Sequence, residues 1–317
     1  MPHMTDFSHL LTPPLLPKLQ VRKGDPRLLS FLSKRDGGLK EPKAVLVGYP
    51  SSRGAEKNGG RAGAELAPTR IRSHLYSLTP DARFFDEHSS LLRGVLDIGD
   101  IRVGDSVEEN QKILAEVLAP YLRASIPCVV LGGSHDVSYG HFLGYVASEM
   151  VISILNFDAH ADVREFDENS GGHSGSPFRQ ALLHPSQLLG SYSVYGLNSW
   201  SVARSHLDFL VERNCQFCFS DEMDQAQIDA LFHSLSKPTF LSLDIDGLSS
   251  AVAPGVSAPN GFGLSPELYY RAALRAGQSR FIQSFDVAEV NPTVDHDGAT
   301  SRVAALCIWH FLRGMAE

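Results

Sequence analysis

Carboxylate and imidazole side chains alternate along one short segment of this chain. Asp158, His160 and Asp162 occupy every second position of the motif NFDAHAD, which directly follows an apolar run. A second acidic pair, Asp244 and Asp246, ends another apolar run. Because side chains at alternate positions of an extended segment share one face, we expect all five to converge at two strand ends. Burying so many carboxylates is costly unless cations compensate their charge.

The donor types indicate which metal such a site would hold. Oxygen-rich ligands with a few imidazoles suit Mn²⁺ better than they suit thiolate-preferring metals. Aspartates shared by two ions would keep them about 3.5–4 Å apart, and a solvent molecule between the ions would ionise near neutral pH and act as the nucleophile. A lone DxD is also common in helix caps and calcium loops. Its combination with DxHxD and with GGSH, which ends at His135, is a more specific indication of a metal centre.

Apolar runs and helical patterns alternate along the chain and predict the fold. The predicted strands are 44–48, 95–98, 128–131, 151–157, 193–195, 240–243 and 281–285. Helical spacing is typical of 107–122, and a further helix is expected to begin at Ser265 and Pro266 and to end at Gly277. Near-continuous apolar strands joined by helices indicate a mostly parallel sheet covered on both faces. We therefore predict a single α/β domain over 1–317, with an irregular N-terminal arm at 1–40.

Composition excludes several classes of function. The 317 residues are 43% apolar and carry a formal net charge of -8, without a basic stripe of the kind that binds nucleic acid. The apolar runs are too short to cross a bilayer, and residues 1–6 do not resemble a secretory leader. We expect a cytosolic protein that binds neither nucleic acid nor membrane.

Other polar groups have structural interpretations. Cys215 and Cys218 have the spacing of a zinc or redox pair, but no second CxxC completes a zinc site, so buried thiols at a strand are expected there and at Cys128. The segment DHDG, which begins at Asp295, stands before the last helix and is expected to cap it. Seven histidines lack ligand-spaced neighbours and are interpreted as surface or packing residues: His74, His88, His141, His184, His206, His233 and His310.

Four motifs together resemble the ureohydrolase superfamily of arginase, agmatinase and formimidoylglutamase. In order they are GGSHD at 132–136, NFDAHAD at 156–162, SLDID at 242–246 and DVAEVNP at 286–292. The resemblance covers roughly residue 44 to the C-terminus. It implies a three-layer α/β/α sandwich with an arginase-like parallel sheet, and a cluster of two Mn²⁺ ions per subunit.

The resemblance also implies ligands and roles by motif position. One ion would be held by His135, Asp158, Asp162 and Asp244, and the other by Asp158, His160, Asp244 and Asp246. Asp158 and Asp244 would thus bridge the ions. Asp162 would accept a hydrogen bond from the bridging hydroxide, and Glu289 would pair with the amidinium group of the substrate and stabilise the tetrahedral intermediate.

Within the superfamily, the residues around the ligands resemble formimidoylglutamase. This holds for the segments 57–64, 67–72 and 251–259. Arg164 lies two residues after the last DxHxD ligand, where arginases carry a small amide, and its guanidinium suits a carboxylate of the substrate. The alternative is an ion pair of Arg164 with Glu165, Asp167 or Glu168.

Two positions depart from the arginase pattern. Ser174 stands where arginases have a histidine that is thought to shuttle protons, and His173 is one position earlier; we transfer no shuttle role to either. A serine there is usual in formimidoylglutamases. Ser134 replaces the Asp or Gly of many relatives and is expected to lie behind the ligands.

These observations favour a manganese-dependent hydrolase of N-formimidoyl-L-glutamate in histidine breakdown, yielding L-glutamate and formamide. The alternatives are another amidine or guanidine hydrolase (agmatinase, guanidinobutyrase or arginase) and a metal-poor family member that acts as a binding subunit. The zinc deacetylases of the same fold bind one metal, and the second aspartate of each motif argues against them. The superfamily also implies a homo-oligomer, a trimer or a hexamer.

Overall fold

A single sheet runs through the centre of the computed structural model, which describes residues 7–19, 22–34, 41–167 and 171–317. In these ranges its strands are β1 (Leu11–Thr12), β2 (Ser33–Lys34), β3 (Ala44–Gly48), β4 (Val95–Ile101), β5 (Cys128–Leu131), β6 (Ile152–Phe157), β7 (Leu189–Leu197), β8 (Gln216–Phe219), β9 (Thr239–Asp244) and β10 (Ile282–Ala288). The strand order is β1-β4-β3-β5-β10-β9-β6-β7-β8, and β2 pairs with β4. Only β1 is antiparallel to its neighbour among the pairs described.

The central strands are buried along their whole length, as parallel strands covered on both faces must be. All residues of β3, β5, β6 and β9 are buried. The predicted bounds of β3 and β5 are confirmed, and the other predicted strands lie within the observed ones or begin one residue before them. The sequence analysis did not predict β1 or β2, and it gave no bounds for β8, where it expected only that the cysteines lie at a strand. These are short or only partly buried strands.

Helices cover both faces of the sheet. They are α1 (Arg53–Lys57), α2 (Ala67–Leu75), α3 (Phe85–Leu92), α4 (Val107–Arg123), α5 (Val137–Ala147), α6 (Pro177–Leu182), α7 (Arg204–Glu212), α8 (Gln225–Ser234), α9 (Pro266–Gln278) and α10 (Ala299–Met315). One apolar core joins the sheet to α2, α3, α8, α9 and α10. A second core joins the opposite face to α4, α5, α6 and α7. The predicted three-layer α/β/α sandwich is confirmed.

Two predictions at helix ends have different outcomes. Asp295 caps α10 as predicted, because its carboxylate accepts hydrogen bonds from the backbone N–H groups of Thr300 (2.9 Å) and Ser301 (3.0 Å). The predicted end of α9 at Gly277 is wrong by one residue, since the helix continues to Gln278. A Cβ atom at Gly277 would lie 2.1 Å from the carbonyl oxygen of Phe311. The glycine therefore permits close packing of α9 on α10.

The N-terminal arm contributes to the sheet edge where it is described. Leu11 and Thr12 pair with Ile101 and Asp100 of β4, and β2 pairs with the same strand. The remainder of the predicted arm at 1–6, 20–21 and 35–40 lies outside the described residues. The assignment of the whole chain to one domain stays a prediction. Within the described ranges, no helix is both long and apolar enough to span a bilayer.

Candidate metal centre

Four neighbouring strands bring the predicted ligands to one edge of the sheet. The strands β5, β10, β9 and β6 are consecutive in the sheet order and mutually parallel. Their carboxyl ends therefore open on the same side, where sites of such folds lie. His135 follows β5, Asp158 follows β6, Asp244 ends β9 and Glu289 follows β10.

The first ligand group surrounds the ring nitrogen Nδ1 of His135. This atom lies 2.8 Å from Oδ2 of Asp162, 2.8 Å from Oδ2 of Asp244 and 3.4 Å from Oδ2 of Asp158. All four residues are buried, and one potential ligand atom from each lies within 4.8 Å of the others. The structure thus brings together the four residues that were expected to hold the first ion.

The second ligand group shares Asp158 with the first. Nδ1 of His160 lies 3.5 Å from Oδ1 of Asp158 and 3.3 Å from Oδ1 of Asp246. Asp158 therefore directs one carboxylate oxygen to each group, as a bridging ligand does. Asp244 belongs to the first group alone, and its Oδ1 accepts a hydrogen bond from the backbone N–H of Asp246 (2.8 Å). Bridging by Asp244 stays a prediction.

The hydrogen bonding of these groups fits cations. Nδ1 of His135 is buried close to three carboxylates, yet it has no partner in hydrogen-bond geometry among the described residues. Oδ1 of Asp246 is also buried without such a partner. Buried polar atoms are rarely left unpaired, and a metal ion is one of the standard explanations when they are. An imidazole beside several carboxylates is also the donor set that Mn²⁺ prefers.

The electrostatics of the protein without metal show what the cations would compensate. Burial, followed by the charge of Asp158, raises the pKa of Asp162 to about 6. Burial and the charge of Asp244 raise the pKa of Asp246 to about 7. The carboxylate of Asp246 in turn raises the pKa of His160 well above its usual range. The site therefore holds excess negative charge at neutral pH unless protons or cations bind.

We predict that the metal-free protein loses stability as pH rises. The folded-state pKa values of Asp162 and Asp246 exceed their unfolded values, so their contribution is present at low pH and lost as pH passes about 6 to 7. His160 changes stability in the same direction, because its folded pKa is also raised. Chelator-treated protein should therefore unfold at a lower temperature at about pH 8 than at about pH 5.5.

Saturating Mn²⁺ should weaken or reverse this pH dependence, since metal ligands must be deprotonated. The control is metal-free Asp246→Asn, which should show a flatter dependence. A metal-free midpoint that rises between these pH values would contradict the assignment.

Both predicted catalytic acids have left-handed backbone conformations. The φ angles are +47° at Asp162 and +65° at Glu289, values that cost free energy for residues other than glycine. At Glu289 the conformation lets the backbone N–H donate to the carbonyl of Gly133 (2.9 Å), while its carboxylate accepts from the backbone N–H of His135 (2.8 Å). The buried Glu289 carboxyl is thereby held beside the ligands, and burial raises its pKa.

A cleft of about 230 Å³ opens above these groups. Its lining comprises Asn58, Gly59, Gly60, His160, Asp162, Arg164, Ser174, Asp244, Asp246, Ser257, Ala258 and Glu289. The cleft therefore contains both predicted catalytic acids and the predicted substrate-binding arginine. Four of these lining residues are acidic (Asp162, Asp244, Asp246 and Glu289), and Arg164 carries a guanidinium group.

Arg164 is exposed in this cleft and has no ion pair among the described residues. Glu165 pairs with Arg179 instead (3.4 Å), and Glu168 lies outside the described residues. A Cβ atom at Gly175 would lie 2.8 Å from Cδ of Arg164, so the glycine permits their close approach. Within the described ranges, no ion pair therefore occupies the guanidinium of Arg164, and its role in binding substrate stays a prediction.

The cleft also contains residues for which the sequence predicted no role. Asn58 donates to Ser174 (3.2 Å), and the backbone N–H of Arg61 donates to Ser257 (2.8 Å). Asn58 and Ser257 belong to the segments 57–64 and 251–259 that resembled formimidoylglutamase, and these contacts bring both segments to the cleft. A larger cavity of about 620 Å³ adjoins it and shares Asn58 and Arg164.

The remaining predicted groups have mixed outcomes. Cys128 is buried at the start of β5 as predicted. Cys218 lies in the edge strand β8 and Cys215 directly before it, so the predicted strand is confirmed, but both residues are only half-buried and the predicted burial is wrong. All four cysteines are free. Ser134 is buried next to the ligand His135 in the chain, but its hydroxyl donates to Asp136 (2.5 Å), which is not a predicted ligand, so its placement behind the ligands stays a prediction. His173 is near the cleft, but its ring contacts the carbonyl of Glu165 and the backbone N–H of Gly175.

Clustered acidic and imidazole groups at the carboxyl edge of a parallel α/β/α sandwich define the class of this site as a candidate metal centre, and comparison with known proteins identifies the family. The chain belongs to the arginase family, whose model matches residues 42–313. It is 36% identical to the formimidoylglutamase of Rhodococcus jostii over 285 residues (84% of this chain, 85% of the relative). It is 32% identical to that of Lysinibacillus sphaericus over 283 residues (86% and 84%). Among solved structures, Trypanosoma cruzi formiminoglutamase with Mn²⁺ matches with a TM-score of 0.83 and 28% identity, covering 92% of this chain and 98% of that chain.

Proposed function

We propose that the protein hydrolyses N-formimidoyl-L-glutamate to L-glutamate and formamide, with two Mn²⁺ ions per subunit. The observation that carries the proposal is Arg164, a guanidinium in the same cleft as the acidic ligands that forms no ion pair within the described residues. The substrate has the complementary charges, a cationic amidine and two carboxylates. The names of the relatives and the Mn²⁺ in the Trypanosoma cruzi structure support the same assignment.

The ligand geometry supports a site for two ions. His135, Asp158, Asp162 and Asp244 would hold one, and Asp158, His160 and Asp246 the other, with Asp244 as a further bridge. Bound divalent cations supply Lewis acidity and lower the pKa of a coordinated water towards neutrality. Hydrolysis then requires the protein to orient the amidine, to stabilise the positive charge of the amidinium group and to direct the attacking water.

The residues of the cleft would divide these tasks. Glu289 is fixed by the backbone N–H of His135 and would pair with the amidinium, which keeps the amidine carbon above the metal ligands. The carboxylate of Asp162 would accept a hydrogen bond from the attacking water and so orient its lone pair. Arg164 would bind a carboxylate of the substrate through two parallel N–H···O bonds. A C–O bond forms at the amidine carbon, and the C–N bond to glutamate breaks as its nitrogen takes up a proton.

A panel of substrates tests the proposal. Mn²⁺-loaded protein is assayed with N-formimidoyl-L-glutamate, arginine, agmatine and 4-guanidinobutyrate. Charge-assisted hydrogen bonds contribute about 1.5–3 kcal/mol, so kcat/KM for formimidoylglutamate should exceed that for the carboxylate-free agmatine by at least about tenfold. Equal or faster turnover of agmatine would contradict the assignment. Absence of turnover on every compound would favour a binding subunit.

A further inference from the structure

Behind the ligand His135 lies a buried chain of hydrogen bonds centred on Asp286, which we call the Asp286 network. Nε2 of His135 lies 3.0 Å from Oγ of Ser242, whose hydroxyl donates to Oδ1 of Asp286 (2.6 Å). Ser138 donates to the same oxygen (3.1 Å), and Nδ1 of His141 lies 2.7 Å from the other oxygen, Oδ2. All five residues are fully buried. His141, which the sequence suggested was a surface or packing residue, is thus part of a polar network.

The single hydroxyl hydrogen of Ser242 determines the direction of these bonds. A carboxylate oxygen accepts but cannot donate, so the hydrogen of Ser242 points to Asp286, its nearest polar neighbour. The Ser242 oxygen can then only accept from the imidazole of His135. The hydrogen of the neutral imidazole therefore resides on Nε2 of His135, which leaves a lone pair on Nδ1.

This tautomer is the one that a metal site requires. Nδ1 of His135 is the atom that faces Asp158, Asp162 and Asp244 and has no hydrogen-bond partner among the described residues. A hydrogen on Nδ1 would occupy the position of the cation. The contact of Ser242 with Nε2 thus selects the form of His135 that can bind a metal.

The far side of the network keeps Asp286 in place. Its Oδ2 contacts His141, whose Nε2 lies 2.6 Å from Oγ of Ser284, and that hydroxyl contacts Tyr145 (2.5 Å). Both oxygens of Asp286 therefore have hydrogen-bond partners, which restrict rotation of its carboxyl group away from Ser242. No member of this far side touches the candidate ligands.

We propose that Ser242 and Asp286 are positioning residues for the metal centre: Asp286 orients Ser242, and Ser242 holds His135 in the tautomer whose Nδ1 is free to bind a cation. The inference rests on the proposed function only in requiring that the ligand groups bind Mn²⁺. It makes no claim about the substrate. Metal binding therefore tests it independently of turnover.

The test compares two serine-to-alanine variants by Mn²⁺ titration, with calorimetry and with electron paramagnetic resonance. Ser242→Ala removes the partner of Nε2 and should weaken the ion held by His135 about 10–100-fold, while the ion at His160 and Asp246 is retained. Ser148→Ala is the matched control, because Ser148 is also buried but its hydroxyl donates to the backbone carbonyls of Ala119 and Gly144, outside the Asp286 network. It should bind both ions as the wild type does.

A second variant, Asp286→Asn, keeps the size of the side chain but offers Ser242 a donor or a weaker acceptor. It should lower the affinity of the same ion. The proposal is overturned if Ser242→Ala binds both ions normally, if Ser148→Ala is impaired equally, or if both ions weaken together as in a general loss of structure. Normal Mn²⁺ binding without turnover of formimidoylglutamate would count against the proposed function alone.

Discussion

Asp158→Ala should abolish activity and bound metal together. Asp158 is fully buried and is the one ligand that directs an oxygen to both His135 and His160. Loss of an outer partner of a ligand alone lowers metal affinity about 10–100-fold. Removal of a ligand shared by both groups should therefore exceed that loss at each ion. Metal content after dialysis against low Mn²⁺, with kcat measured on the same sample, checks the prediction.

The matched control for this variant is Asp221→Ala, which removes an exposed carboxylate that does not line the cleft. It should retain metal and turnover. Circular dichroism establishes that both variants are folded. An Asp158→Ala protein with two ions per subunit and wild-type kcat would show that Asp158 does not bridge the ions.

Arg164→Ala should raise KM for formimidoylglutamate and leave the metal content unchanged. Arg164 lines the cleft but belongs to neither ligand group, so its loss removes a substrate contact alone. The charge-assisted pair with a carboxylate is worth about 1.5–3 kcal/mol, which corresponds to a decrease of about 10–150-fold in kcat/KM. Steady-state kinetics with metal analysis provides the measurement.

A cycle of variants and substrates makes this prediction specific. Arg164→Lys keeps the charge but lacks the planar fork, so it should fall between the wild type and the alanine variant. Formimidoyl compounds that lack the α- or the γ-carboxylate identify the group that Arg164 binds. The alanine substitution should have little further effect on the compound that lacks that group. An unchanged KM for the full substrate would exclude Arg164 from recognition.

Much of this fold could be predicted because its central strands are buried on both faces. Continuous apolar runs such as 128–131 are diagnostic of such strands, and the metal ligands follow them in sequence. Edge strands carry no comparable pattern: β8 reads QFCF and is only partly buried. The end of α9 was misplaced at Gly277 because this glycine does not end the helix but permits its close packing on α10. That contact joins segments that are distant in sequence.

The ligands could be predicted for a similar reason. The extended spacing of Asp158, His160 and Asp162 predicted that they share one side, but the structure brings them together in the bend after β6, where Asp162 is left-handed. The proximity of His135 to Asp244 depends on strand order. Only the motifs shared with the superfamily indicated that His135 lies close to Asp244. The Asp286 network was not predicted, although Ser242 stands two positions before Asp244 and hence on its face of the strand. Hydrogen-bond direction requires distances that a sequence does not contain.

The left-handed backbone conformation of Asp162 and Glu289 implies a conflict between thermal stability and turnover. Left-handed residues other than glycine cost about 1–3 kcal/mol each, less for aspartate than for glutamate. Glycine would relieve that strain at either position, and would remove the carboxylate that the chemistry requires. Selection for thermal stability alone would therefore favour glycine at these two positions and an inactive protein. Asp162 and Glu289 are thus positions at which lower stability accompanies the proposed catalysis.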